Sequence, residues 1–166
     1  MGNDRAAEIF EKVYFKILNF VSFRQRSEKE ISDRLSKYLS KYHTSGTEKE
    51  KILKDITYKL EENGYIDDLN FSLSYIRSAA NSRKFLSKRK IYQFLVKKGV
   101  HKDVISEALS SLPEDFSLKN AMRDGEKKLR LIGKIDAFSK KRKLSAYLYR
   151  KGYDPDTISS VVDTLL

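Results

Sequence analysis

Apolar residues recur at helical spacing along nearly the whole chain. Ile31, Leu35 and Leu39 fall four residues apart, as do Ile52, Ile56 and Leu60, and Phe71 and Tyr75 continue the pattern. Polar and charged residues fill the intervals, as in helices that bury one stripe and leave the rest in water. The pattern predicts nine helices, over 5–22, 27–43, 47–63, 67–80, 86–98, 102–112, 116–131, 138–151 and 155–166. Their ends are marked. Ser27-Glu28-Lys29-Glu30 and Thr47-Glu48-Lys49-Glu50 both read as capping boxes, and Asp154-Pro155 sets an N-cap before a first-turn proline. Gly64, Gly99 and Gly152 each follow a helical run and precede an apolar residue, the mark of a left-handed C-terminal cap.

One unit occurs twice. Residues 91–112 and 144–165 align at an offset of 53, matching Ile91 with Leu144, Phe94 with Tyr147, Leu95 with Leu148, Gly99 with Gly152 and Ile105 with Ile158. A more divergent copy precedes them, with Ile31 and Leu35 in the places of Ile91 and Leu95. There 17 residues separate Leu35 from Ile52, against ten from Leu95 to Ile105. The seven extra residues, including His43-Thr44-Ser45-Gly46, predict a longer second helix or inter-helix loop. The helices thus group in threes: a lead-in helical segment over 1–14, then repeats over 15–66, 67–113 and 114–166. The expected fold is all-α, three tandem three-helix repeats stacked into an elongated, curved array. Such an array offers an extended surface in place of a single pocket.

Charge changes the picture more than composition does. With 40% hydrophobic residues, 10 Tyr and 9 Phe, the chain can bury a core. It has no cysteine, which excludes disulfides and thiolate metal sites. No apolar run is long enough for a membrane span and no signal peptide is legible, so a cytoplasmic protein without a membrane partner is expected. The net charge is +11, concentrated after residue 66, and eight basic residues with no acid lie between Arg77 and Lys98. That asymmetry points to a polyanionic partner, nucleic acid or an acidic protein surface. A Lys-rich surface that merely keeps the protein soluble gives the same composition.

The usual catalytic patterns are missing. No Gly-rich phosphate loop and no H-E-x-x-H is present. His43 and His101 fall at helix boundaries. Asp67-Asp68 reads either as a metal or acid/base pair or as a cap on the next helix, with no third oxygen ligand nearby in sequence. The expectation is a protein that is not an enzyme, with no catalytic residue, metal or cofactor. The basic residues say more. With Ile91, Phe94 and Leu95 buried, the opposite face of that helix carries Arg89, Gln93 and Lys97. The matching positions are Arg142, Ala146 and Arg150 in the last repeat, and Lys29, Asp33 and Lys37 in the first. Both outer slots are therefore basic in all three repeats, suiting a partner with its own repeat, such as a phosphate backbone or a protein filament. Lys and Arg are also good helix formers that occupy exposed positions for no other reason. Arg83, Lys84, Lys88 and Lys90, with Lys140, Lys141 and Lys143, thicken two of the helix starts. Tyr92 and Tyr149 are available to stack on bases, whereas Phe85, Phe94 and Tyr147 read as core.

These residues, in this order, resemble the RecX family, regulators of the bacterial recombinase RecA. Gly64-Tyr65-Ile66-Asp67-Asp68-Leu69-Asn70-Phe71, continuing to Tyr75-Ile76-Arg77-Ser78, is similar to the family's most specific signature. Ser27-Glu28-Lys29-Glu30-Ile31, preceded by Arg24 and Arg26, resembles its first-repeat pattern. Leu95 to Val100 and Leu148 to Tyr153 resemble the ends of its later repeats. The likeness covers about residues 15–166; the segment 40–50 is longer than the pattern, and 1–14 are unmatched. It implies a non-catalytic protein that binds the RecA–DNA filament, with some direct affinity for DNA, single- or double-stranded; a monomer is expected. There it would restrain ATP hydrolysis, strand exchange and the co-protease activity that triggers the SOS response. The alternative is a stand-alone basic helical DNA-binding protein.

Overall fold

The computed structural model describes residues 2–81 and 85–166, with side chains from Asp4 onward. Among these residues lie nine α-helices and no strand: α1 Gly2–Ser22, α2 Glu28–Leu39, α3 Gly46–Glu62, α4 Asp68–Ala80, α5 Lys88–Lys97, α6 Lys102–Ser110, α7 Phe116–Leu131, α8 Ala137–Lys151 and α9 Pro155–Leu165. The chain divides into two compact units. The first holds residues up to Phe71 together with Lys98–His101, and the second holds Ser72–Lys97 and Lys102–Leu166.

The core of the first unit follows directly from the four-residue spacing. Ile9, Val13, Ile17 and Val21 of α1 meet Ile31, Leu35 and Leu39 of α2 and Ile52, Ile56 and Leu60 of α3, all buried. Each such side chain contributes about 1.5–3 kcal/mol on burial. The box at Ser27 forms in both directions: Ser27 Oγ accepts the Glu30 amide at 3.3 Å, and Glu30 Oε2 accepts the Ser27 amide at 3.4 Å. The box expected at Thr47 does not form. Ser45 caps α3 instead, accepting from the Glu48 amide at 3.2 Å. Ser45-Gly46-Thr47-Glu48 carries the same cap-x-x-Glu pattern two residues earlier, and the helix takes the earlier start.

The seven extra residues of the first copy are shared out. α2 runs to Leu39, four past Leu35, whereas α5 runs to Lys97, two past Leu95. The following turn is two residues longer, 40–45 against 98–101, and α3 starts six residues before Ile52 where α6 starts three before Ile105. The longer helix and the longer loop are both real, and the start of α3 supplies the remaining residues. α2 nevertheless stops short of the expected residue 43.

In the second unit Ala121, Leu144, Leu148, Tyr153, Ile158, Val161 and Val162 form a buried cluster, with α7 packed on both α8 and α9. Gly125, inside α7, allows the close approach: a β-carbon there would lie 2.9 Å from Leu165 Cδ1 and 3.1 Å from Val161 Cγ1. Beside it, the Asp124 carboxylate is buried and accepts from the hydroxyls of Tyr153 at 3.0 Å and Tyr147 at 3.4 Å, and from Lys151 Nζ at 3.4 Å.

Each unit also contains the same serine joint. In the first, Ser27 Oγ donates to the carbonyl of Lys98 at 2.7 Å. Gly99 follows with φ of +83°, and a β-carbon there would sit 2.5–2.6 Å from the Lys29 stem. In the second, Ser87 Oγ donates to the carbonyl of Lys151 at 2.8 Å and accepts the Lys90 amide at 3.2 Å. There Gly152 has φ of +88°, and its missing β-carbon would meet Ser87 Oγ at 2.9 Å and the Arg89 stem at 3.4 Å.

Candidate functional site

The outer slots lie where the helical spacing puts them, on the exposed side of their own helices. Lys29 and Lys37 are exposed on α2, Arg89 and Lys97 on α5, and Arg142 and Arg150 on α8. Their roles divide further. The stems of Lys29 and Arg89 cover the two left-handed glycines, so these residues pack through their methylenes while their charged ends stay in water. Lys37, Lys97, Arg142 and Arg150 have no ion pair among the described residues.

Of the flanking candidates, Lys90, Lys141 and Lys143 are exposed, and Lys88 and Lys140 half-buried. Lys141 forms an exposed pair with Asp163 at 3.5 Å, a contact worth little in water. Arg77 is exposed, with its Nε donating to the Leu73 carbonyl at 3.3 Å. Arg83 and Lys84 lie outside the described residues. Tyr149 is exposed and Tyr92 half-buried; Phe94 is half-buried and stacks on Tyr75 with centroids 3.9 Å apart.

Asp67 and Asp68 divide between two helices. Asp67 Oδ1 accepts the Asn70 amide at 2.8 Å and so caps α4, while Asp68 Oδ1 accepts the Glu28 amide at 2.8 Å, at the start of α2. Burial raises the Asp68 pKa, the Glu28 amide opposes this, and the neighbouring Asp67 charge adds to it. Among the described residues no group of three or more His, Cys, Asp or Glu is placed to hold a metal ion.

Arg24 and Arg26 lead to a denser arrangement than the sequence pattern suggested. An open cleft of about 430 Å³ in the first unit is lined by Phe20, Arg24, Arg26, Glu30, Asp33, Arg34 and Lys37. The Arg26 and Arg34 guanidiniums lie 4.0 and 4.4 Å from the centroid of the Phe20 ring. The Nε of Arg26 is buried without a hydrogen-bond partner among the described residues. Burial, followed by the nearby charge of Arg24 and then Arg34, lowers the Arg26 pKa, while Glu30 opposes them. The side chain remains a cation at neutral pH. Glu30 is heavily engaged: Oε1 takes Arg24 at 3.0 Å and Lys98 at 2.7 Å. Burial pushes the Glu30 pKa up, but hydrogen bonds from Lys98, Arg24 and the Ser27 amide hold it below its ordinary value of 4.5.

Phe20 and Arg34 were missed because neither stands out in sequence. Phe20 looks like another apolar residue of α1, and Arg34 is not in an outer slot. The one local signal, Arg34 lying four residues after Glu30, points to an ion pair that does not form, since Glu30 holds Arg24 and Lys98 instead.

A family model for the third three-helix domain of RecX matches residues 114–162, and one for the second three-helix domain matches 67–109. The regulatory protein RecX of Bacillus mycoides strain KBAB4 is 28% identical over 165 residues, covering 99% of this chain and 58% of that protein. That of Geobacillus sp. strain WCH70 is 31% identical over 156 residues, covering 94% and 54%. The chain spans a little over half the length of these relatives. A crystal structure of RecX from Lactobacillus salivarius superposes with a TM-score of 0.82 at 25% identity, covering 96% of this chain and 97% of that one. A second structure of the regulatory protein RecX gives 0.81 at 23% identity, covering 96% and 74%, and bears on the fold alone.

Proposed function

The chain belongs to the RecX family, and on that premise we propose that it acts as a monomer that binds the RecA–DNA filament and restrains it. Restraint here means slower ATP hydrolysis, strand exchange and co-protease action, and so control of recombinational repair and the SOS response. The observation that carries this reading is the exposure of the matched basic slots: Lys29 and Lys37 in the first unit, and Arg89, Lys97, Arg142 and Arg150 in the second. Cationic ends on equivalent helices exchange counterions with a repeating polyanion and gain affinity by releasing them. Arg77, Lys88, Lys90, Lys140, Lys141 and Lys143 add to the same charge. Arg83 and Lys84 belong to the proposed contact set by sequence position.

The test is the ATPase of a pre-formed RecA filament on single-stranded DNA, with this protein added in substoichiometric amount. A marked fall in turnover is expected. Substituting Arg89, Lys97, Arg142 and Arg150 by Glu should abolish that fall while leaving the helical circular dichroism intact. Undiminished inhibition by the substituted protein would remove these four residues from the contact. The stand-alone DNA-binding reading draws on the arginines around Phe20. It requires equal affinity for naked DNA and filament, with a log–log salt slope near −4 to −5 for about four to six neutralised phosphates.

A further inference from the structure

We propose that the first unit carries a binding site for the phosphodiester backbone of single-stranded nucleic acid, built by Arg24, Arg26, Arg34 and Lys37 around the ring of Phe20. The site deepens the proposed function, resting on nucleic acid as part of the partner, and locates a contact that the outer slots leave unspecified.

Three observations converge on it. The Arg26 and Arg34 guanidiniums sit over Phe20 at 4.0 and 4.4 Å from its centroid, a cation–π contact that uses no N–H group. A guanidinium matches two oxygens of one phosphate, and contact with the ring restricts how far it can turn away. Secondly, the charge is only partly neutralised from within. Arg26 and Arg34 have no carboxylate partner among the described residues, and a donor of Arg26 is buried without an acceptor. Of the two acids lining the cleft, Glu30 is taken by Arg24, Lys98 and the Ser27 amide, and Asp33 is exposed. Thirdly, Phe23, immediately before Arg24, is 85% exposed. Arginines on a phosphate track with an exposed ring beside them are the elements of single-strand binding, where backbone charge and base stacking combine. An acidic protein segment would use the same cations, and competition by polyglutamate separates it from a nucleic acid. Glu30 is the internal counter-charge, competing with the ligand for Arg24.

The test measures binding of the full chain to a labelled oligothymidylate of about 15 nucleotides, across a range of salt. Arg26→Gln with Arg34→Gln should weaken binding at least tenfold and flatten the log–log salt slope by about 0.7 per lost contact. Phe23→Ala should cost about tenfold on the single strand and little on a duplex of equal length. Glu30→Gln should bind more tightly than wild type. Arg34→Gln with Lys37→Gln, altering side chains outside the core, provides a variant whose folding is checked by circular dichroism. If that folded variant keeps wild-type affinity and slope, the site is overturned. Competition by polyglutamate as strong as by unlabelled oligonucleotide would also overturn it, assigning an acidic protein segment, as would displacement by low-millimolar inorganic phosphate. Filament ATPase is followed in parallel. If wild type fails to slow the filament but the oligonucleotide results hold, the regulatory reading falls and the site stands. If wild type slows the filament but the oligonucleotide results fail, the site falls and the regulatory reading stands.

Discussion

Ser27 and Ser87 begin α2 and α5, and each closes the same joint in its own unit. The hydroxyl accepts an amide of its own helix and donates to a carbonyl, Lys98 in one case and Lys151 in the other, at 2.7 and 2.8 Å. A left-handed glycine follows that carbonyl both times, with a basic stem lying over it. The charges around this frame differ. Lys98 is held by Glu30, at the position where the second joint has Lys90, a cation. Lys151 is held instead by Asp124 of α7. The hydroxyl and the glycine answer to backbone geometry, which narrows the choice to a short side chain that both donates and accepts and to a residue that adopts positive φ without strain. Ion pairing has looser demands, so its partners have been exchanged.

The comparison is broken most severely through Asp124. Asp124→Leu leaves two hydroxyls and Lys151 without their acceptor, and should destabilise the second unit by about 3–5 kcal/mol. Glu30→Leu, at a side chain 20% exposed, should cost the first unit far less. Hydrogen exchange resolved by unit, alongside urea unfolding, would read both; equal losses would mean that the two counter-charges are equivalent. Next come the glycines. Gly99→Ala and Gly152→Ala each incur about 1–2 kcal/mol for the left-handed conformation. Gly99→Ala should exceed its counterpart because its new methyl would collide with the Lys29 stem. Adding Lys29→Ala should recover only part of that excess in a double-mutant cycle, because the Lys29 Cβ, 2.6 Å from the new methyl, remains.

Ser27→Ala and Ser87→Ala should each cost about 1 kcal/mol in thermal or urea unfolding, and by similar amounts. A clear inequality would show that the surrounding charges reach into the joint. The smallest effects are those of pH, and they run in opposite directions. Glu30 is held below its ordinary 4.5, so its stabilisation is complete above that value and is lost as pH falls through the lower folded value. Glu30→Gln should remove this part of the acid dependence of the first unit. Burial, with the neighbouring Asp124 charge, raises Tyr153 above its ordinary 10.0. Lys151 is also raised, because Asp124 and Tyr147 outweigh its burial. The second unit should therefore hold its full share up to about pH 10 and lose it as pH rises further, a loss that Asp124→Asn reduces.

The helices were legible because a four-residue apolar period with capping residues at its ends is a local property of sequence. Ser27, Asp154 and the three glycines behave as their positions required. At Ser45 the chain held two overlapping caps, and nothing local decides between them. Other features depend on residues distant in sequence. Ser87 gave no hint of its bond to a carbonyl 64 residues away, nor did Asp124-Gly125 of its buried acceptor and close helix contact. The outer slots could be placed on a face by rotation alone. Phe20 and Arg34 could not, because their pairing needs α1 and α2 packed together.

The unequal turns have a practical side. The Ser27 joint links residues 71 apart in sequence and the Ser87 joint residues 64 apart, with bonds of nearly the same length. A bond from one hydroxyl to one backbone carbonyl senses only its two ends, so the stretch after α2 behaves as slack, where extra chain is absorbed without moving the frame. A reporter peptide grafted after the exposed Lys41 would therefore leave the joint and the arginine cleft as they are. The same protein could then be tracked while its surface is probed.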